Sequence, residues 1–456
     1  MSLRRLVPVG VLMELCYLSF YGIAASAEEV LLFIGVGTLT FLLLAFAMYE
    51  VRALERPSSS ENRMSGPSVT QWIAQSNSGT RLATIIGFGI LFRLTLVAHD
   101  PVASDDIYRY LWDGKVSVHG INPFALAPND ARLGFLHTED LPSKVNFPHM
   151  RTIYPPLAQA LFLLSHILFG DSVSGLKLLL VCIDIVALAL LLLLLRQFNA
   201  RPETVILYAW SPLPIMYFGL DGHIDALGIP FLLLLIYFVA KEKHLAGAVS
   251  LGISALAKLY PLFIAPLLAR VGQGPKKLWM PLLPVLMLVA GCWLYLEPTG
   301  GLYESFLVFN ATWKFNGSVF EIIHAILKAN EDAHLASGIL FFICLGFVFF
   351  IDRPLVEKIF LAFLGYIVVS PVVHPWYLTW LGALIVLRWS LAVFIFLGLS
   401  TLSNIVVYHY YLTGIWENQP ALLFVEYIPF YVLIAWEVIQ GKFNVVRADL
   451  SLGRSQ

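Results

Sequence analysis

The chain has 456 residues, 59% of them hydrophobic and only 13% charged, where a soluble domain carries about a quarter charged residues. That balance excludes an ordinary water-soluble enzyme and puts the chain in a lipid bilayer. A net charge of -1 gives no electrostatic reason to expect a nucleic-acid partner. Four cysteines, all inside apolar segments and without metal-ligand spacing, offer neither a disulfide framework nor a zinc site.

A hydrocarbon core of about 30 Å needs about 20 apolar residues in a helix. In chain order the sequence predicts spans at 8–26, 30–49, 82–98, 176–195, 203–219, 224–240, 245–258, 260–270, 278–296, 336–351, 355–372, 375–388, 390–411 and 421–440. The first could pass for a signal peptide, ending at Ala25-Ser26-Ala27. Its apolar run is long and holds Glu14, so it is read as an anchor. The pair 245–258 and 260–270 is short and reads as a broken or re-entrant hairpin around Pro261. The fold class expected is an all-α polytopic bundle of about 14 transmembrane helices with a long outer loop carrying surface-lying helices.

Lys and Arg favour cytoplasmic loops. With Arg4 and Arg5 inside, the alternation also puts Arg52, Arg56, Arg63, Arg81, Arg196, Arg201, Lys241, Lys243, Arg270, Lys276, Lys277, Arg353, Arg388, Lys442 and Arg447 inside. This holds only if the apolar stretch after Tyr154 lies along the outer surface, as its opening Pro155-Pro156 and modest length suit. Both termini are then inside, and the Ser-rich stretch 57–80 is a cytoplasmic linker. Three regions follow: an N-terminal hairpin with its linker (1–81), a module carrying the outer segment 99–175 (82–300), and a C-terminal transmembrane region (301–456).

The longest polar interruption, 99–175, opens on the outer side with a density of charges and aromatics. From Ser104 the spacing reads as an N-capped helix with Asp105 and Asp106 in its first turn, where carboxylates favour the helix dipole. Arg109 stands at i+4 and i+3 from them, so capping and helical ion pairing is the plain structural alternative to a catalytic role. Their place at the mouth of a polytopic bundle favours the catalytic one. Asp184, mid-span, and Glu14, in the first anchor, should each find a structural partner.

The run SDDIYRYLWDG (104–114), with GINPF (120–124) and TIYPPLAQALF (152–162), resembles bacterial polyprenyl-phosphate-mannose-dependent mannosyltransferases of the GT-C glycosyltransferase superfamily. GHIDALGIPF (222–231), LAKLYPLFIAP (256–266), WKFNGSVF (313–320) and SPVVHPWYLTW (370–380) continue the pattern. The resemblance implies a GT-C-like bundle with its site in the first large outer loop, an acidic base and a lipid-phosphate sugar donor. The expected enzyme moves a hexose, mannose first, from a polyprenyl-phosphate donor to a hydroxyl on a glycan, glycolipid or other acceptor, with inversion. It sits in a bacterial inner membrane with the site facing the periplasm or outside. No Rossmann-type Gly-rich segment offers to hold a nucleotide sugar instead.

Within that reading Asp105 is the base, and Asp106 the second choice. Arg109, Arg151, Lys258 and His374 are candidates for the departing phosphate, Lys258 because a lysine in an apolar segment needs a cavity or a partner. His223, Asp225, Trp313 and Asn316 are candidates for sugar contacts, with a simple helix cap and a solvated histidine as the plain alternative for the first two. Trp376 and Tyr377 are too, although interfacial anchoring is the better account of such a pair. The motif aromatics Tyr108, Tyr154 and Tyr260 are placed with the substrate. The outer acids could hold a divalent cation, but no His or Cys cluster accompanies them, so no cofactor and no metal site is expected. The competing class is a secondary transporter or lipid flippase, which would show internal pseudo-symmetry and midplane polar residues.

Overall fold

A computed structural model of the protein describes residues 3–22, 27–53, 78–272, 274–296, 301–417 and 419–441. Most of the predicted linker, 57–77, and the C-terminal Lys442 and Arg447 lie outside the described residues. The principal helices are α1 (Leu3–Leu18), α2 (Ala27–Ala53), α3 (Ser78–Leu96), α4 (Asp106–Val118), α5 (Pro156–Phe169), α6 (Val173–Gln197), α7 (Asp225–Ala240) and α8 (His244–Ala257). They continue with α9 (Leu282–Trp293), α10 (Gly301–Thr312), α11 (Ser318–Leu327), α12 (Asn330–Phe350), α13 (Leu355–Val369), α14 (Leu391–Thr413) and α15 (Pro420–Ile439). Among the described residues there is no strand, only isolated bridges pairing Phe315 and Asn316 with Val372.

Among the described residues six helices, α2, α3, α6, α12, α14 and α15, are long and apolar enough to cross a membrane. The other predicted spans fall on shorter or interrupted segments. Those at 224–240, 245–258, 278–296 and 355–372 coincide with α7, α8, α9 and α13, none longer than 16 residues. The stretch 203–219 breaks into short turns around Pro212 and Pro214, because a proline removes a backbone donor and clashes with the preceding turn. The break around Pro261 is present: α8 stops at Ala257, Lys258 is extended, and a 3-10 helix runs from Tyr260 to Arg270.

Both acids expected to need partners have them. Asp184 accepts from Arg93 Nε at 2.5 Å and from the Tyr208 hydroxyl at 2.6 Å, all three fully buried. Arg93 also donates to the carbonyls of Gly89 and Ala209, tying α3 to α6 and to the broken segment. Glu14 accepts from the Thr95 hydroxyl, which fastens α1 to α3.

Two glycines permit the close approaches that shape the site. A Cβ on Gly114 of α4 would come within 2.3 Å of the Phe162 carbonyl oxygen, so only glycine lets α4 lie directly on α5. A Cβ on Gly228 would stand 2.4 Å from the Trp380 ring, which therefore reaches α7 only because that position is bare.

Candidate functional site

The segment leading from α3 to α4 is pinned from below. A buried π-helical turn, Ile215–Leu220, delivers Asp221, whose carboxylate accepts from the backbone N–H of Val102 at 2.8 Å and of Ala103 at 3.1 Å. Lys177 of α6 donates to the carbonyls of His99 and Leu220. These anchors fix the start of α4, and with it the acidic pair.

The helix begins one residue later than the sequence suggests. Asp105 occupies the cap position without using its side chain, and the Ser104 hydroxyl accepts from the Asp106 N–H at 3.3 Å. The Asp105 carboxylate is therefore not tied down as a helix cap. Arg109 is not its partner either: its Nε donates to Asp113 at 3.0 Å and its Nη1 to the Met150 carbonyl at 2.9 Å. Gln159 closes the far side of Asp113. The expected Asp–Arg pairing at i+3 and i+4 is thus replaced by the Arg109–Asp113 pair one turn further on.

What holds the acids is Asn146. Its amide nitrogen donates to Asp105 Oδ1 at 2.9 Å and to Asp106 Oδ1 at 2.8 Å. Asp105 meets solvent on one side and is walled by protein on the others. That enclosure, then the charge of Asp106, pushes its pKa up to about 6, and its open side moderates the effect. Enclosure raises Asp106 too, opposed by the Asn146 hydrogen bond and the charge of Lys258.

Behind Asp106 lies a buried polar layer. His223 Nδ1 is 3.7 Å from Asp106 Oδ2, and neither ring nitrogen of this buried histidine has a hydrogen-bond partner. Asp225, fully buried, accepts from Lys258 at 2.9 Å, the Tyr260 hydroxyl at 2.6 Å and Trp380 Nε1 at 2.9 Å. The Lys258 ammonium sits 4.7 Å from the centre of the Tyr377 ring, in cation–π range. Tyr154 packs edge-on to Tyr110 with centroids 4.8 Å apart and acts on Asp106 to oppose the rise in its pKa.

Four rings stack beside this layer. His223 lies on Trp376 at 3.8 Å, Trp376 on His374 at 4.1 Å, and His374 on Phe315 at 4.4 Å, with interplanar angles of 20° or less. Burial, then the charge of Lys258, pushes His374 down to about 3 and His223 well below its usual range. Both are neutral at pH 7, so they offer hydrogen bonds and not charge.

The fold thus gathers Asp105, Asp106, Tyr154, His223, Asp225, Lys258, Tyr260, His374, Trp376 and Tyr377 into one region. It corrects two alternatives held open by sequence: His223 is not a solvated histidine at a helix cap, and Trp376 is a buried member of a ring stack instead of an interfacial anchor. Other candidates lie apart. Arg151 pairs with Glu304 at 3.2 Å, Tyr108 faces the Lys144 ammonium, and buried Asn316 donates to Glu426 at 2.8 Å. Trp313 packs against Phe147 and against the small cluster of Phe315, Val372 and Val406 at the edge of the region. Asn146, Asp221 and Trp380 were not singled out by sequence. Asp221 and Trp380 lay beside or within motifs already marked, whereas Asn146 sits in an irregular loop with no periodicity to flag it. Among the described residues no three His, Cys, Asp or Glu side chains form a group that could hold a metal ion.

A family model described as alpha-(1->6)-mannopyranosyltransferase, N-terminal domain, matches residues 19–272, more than half of the chain. The matched stretch takes in the acidic pair, Asn146, Tyr154, His223, Asp225, Lys258 and Tyr260, and ends before the His374–Trp380 segment. No curated protein and no solved structure matches the chain.

Proposed function

The chain belongs to the alpha-(1->6)-mannopyranosyltransferase family and is a membrane mannosyltransferase; from that premise we propose that it carries mannose from a polyprenyl-phosphate donor to an acceptor hydroxyl, on the non-cytoplasmic face and with inversion. The bundle is then GT-C-like, with 99–175 as its outer segment. A single displacement that inverts and yields an α-linkage requires a β-linked donor, and the family description points to a 6-hydroxyl as the accepting group.

The observation that carries the reading is the acidic pair at the start of α4, one carboxylate open to solvent and the other backed by unpartnered His223, with Lys258 acting on it electrostatically. In the proposed step Asp105 accepts the acceptor's hydroxyl proton while the acceptor oxygen bonds to the anomeric carbon. The bond from that carbon to the phosphate oxygen breaks, and its electron pair leaves with the lipid phosphate. The ring passes through an oxocarbenium-like state. Lys258 is the cation best sited to meet the departing phosphate. Arg109 Nη2, buried and without a partner, is a second donor. Neutral His223 and His374, with Tyr154, Tyr260 and the Trp376 face, would supply sugar contacts.

An isoprenoid tail needs an apolar seat that opens to lipid. An open apolar recess of about 530 Å³ between α1 and α2, lined by Leu12, Leu15, Cys16, Leu32, Val36 and Leu39, suits one. His99, at the head of the segment leading to Asp105, bonds to the Phe20 carbonyl and pairs with Glu29 on this same unit. The test is incubation of purified membranes with radiolabelled β- and α-linked polyprenyl-phosphate mannose. Transfer from the β-anomer alone, onto a 6-hydroxyl, is the expected result, and no transfer from either anomer refutes the donor assignment.

A further inference from the structure

Asn146 lies in the sequence Val145-Asn146-Phe147-Pro148, with no helix or strand to hold it. Its amide nitrogen nevertheless meets two carboxylates from adjacent residues at 2.9 and 2.8 Å. Only the nitrogen can do this: turned over, the amide would aim its carbonyl at two negative oxygens. Two like charges on neighbouring residues are thus held together by one neutral donor with two hydrogens.

The turn is also fixed in a costly shape. Phe147 has φ of +46°, a left-handed backbone that a non-glycine residue adopts only when its surroundings insist. The surroundings are visible. The Phe147 ring packs edge-on against Trp313 at 4.8 Å, its carbonyl accepts from Met150 N–H at 2.9 Å, and the Pro148 carbonyl accepts from Asn129 N–H at 3.0 Å. Met150 in turn holds Arg109, one helical turn beyond the acids. Strain at this place therefore sets where the Asn146 amide points.

We infer that Asn146 is a positioning residue for the catalytic carboxylates, held on them by the left-handed Phe147 and its contact with Trp313. The inference rests on the reading of Asp105 as base. Its role is to keep Asp105 ionised and aimed while Asp106 stands beside it. The other groups facing the pair are His223, Lys258, Asp225 and Tyr154 around Asp106, and Tyr411 toward Asp105. Among them Lys258 is already bonded to Asp225, so no contacting cation replaces the amide if it is lost.

The test is the pH dependence of transfer for Asn146→Ala, Asn146→Asp and Phe147→Gly, with melting temperature in detergent as the folding control and Asp105→Asn run alongside. A hydrogen bond to the charged form lowers a carboxyl pKa. Asn146→Ala should therefore move the acidic limb upward by roughly one unit and lower kcat with little change in acceptor KM. Asn146→Asp, nearly isosteric, puts a third carboxylate there and should move the limb further. Phe147→Gly relaxes the backbone and removes the Trp313 contact, so it should shift the limb in the same direction by less. Wild-type profiles in whichever Asn146 variants fold, with Asp105→Asn inactive, overturn the positioning role alone. If Asp105→Asn is fully active, the base assignment beneath it falls instead.

Discussion

Arg109 is bonded to Asp113, Nε to Oδ1 at 3.0 Å, and so turns away from the acidic pair that precedes it on the same helix. The acids are left without a contacting cation. Their neighbours are a neutral amide, a buried neutral histidine and, at longer range, Lys258. The chemical character of the site follows from that arrangement, because a carboxylate without a paired cation keeps the basicity that ion pairing would remove.

The first prediction concerns pH. With Asp105 at about 6, kcat/KM should fall about tenfold per unit below that value as the base becomes protonated. Stability should move the other way. The folded pKa lies above the ordinary 3.8, so between about 4 and 6 the native state binds more protons than the unfolded one, and this residue's contribution is lost as pH rises through 6. Asp105→Asn, which cannot ionise, should melt no lower than wild type at pH 7.5. Parallel rate profiles and melting curves over pH 4.5 to 8 check both signs.

The second concerns the interior. Arg93 and Asp184 are both fully buried, and removing one leaves an uncompensated charge, typically at a cost of about 3 to 5 kcal/mol. Arg93→Met should therefore lower the melting temperature sharply. The double variant Arg93→Met with Asp184→Leu should recover most of the loss, leaving the Tyr208 hydroxyl without its acceptor and the Ala209 carbonyl without the Arg93 donor. A double variant no better than the single would show that the pair's geometry, and not its charge balance, matters.

The third concerns Lys258. It holds fully buried Asp225 and lies over Tyr377, so Lys258→Met should reduce both stability and turnover. Lys258→Met with Asp225→Asn separates the two effects. Stability should return with the charge balance, while kcat stays low by about 10²-fold or more, as expected for loss of a transition-state cation. Recovery of kcat in the double variant would assign Lys258 a purely structural role.

The fourth concerns metal. Asp225 already accepts from three donors, Asp105 and Asp106 each give one oxygen to the Asn146 amide, and among the described residues no third His, Cys, Asp or Glu completes a metal-binding group with them. Transfer should persist after dialysis against EDTA. Loss of activity on chelation, restored by added Mg²⁺ or Mn²⁺, would require a site this donor set does not provide.

Much of this was legible in the sequence because hydropathy and charge act over long stretches. The polytopic character, the break after Ala257, the short α5 opening at Pro156 and the need of Asp184 and Glu14 for partners all follow from apolar length, proline and the cost of buried charge. The acidic pair was visible because it stands where a polar segment meets an apolar span. The rest depended on contacts between distant residues. Asp225 meets Trp380 across 155 positions, and Asn146 meets the acids across about 40. No local period encodes either distance. The Arg109 pairing went the other way because Asp106 at i−3, Asp105 at i−4 and Asp113 at i+4 compete for it on the helix surface, and Gln159 from α5 favours the last by fixing Asp113. The cap position falls on Asp105, one residue past Ser104, whose hydroxyl still accepts from the Asp106 N–H.

The measurement closest to the centre of the account is mannosyl transfer by Asp105→Asn and Asp105→Ala enzymes, reconstituted in lipid with a labelled polyprenyl-phosphate mannose donor at pH 7.5. Loss of a positioned general base should lower kcat by about 10² to 10⁴-fold, in protein whose melting curve matches or exceeds that of wild type. Wild-type turnover in either folded variant would contradict the account, removing this carboxylate from the reaction.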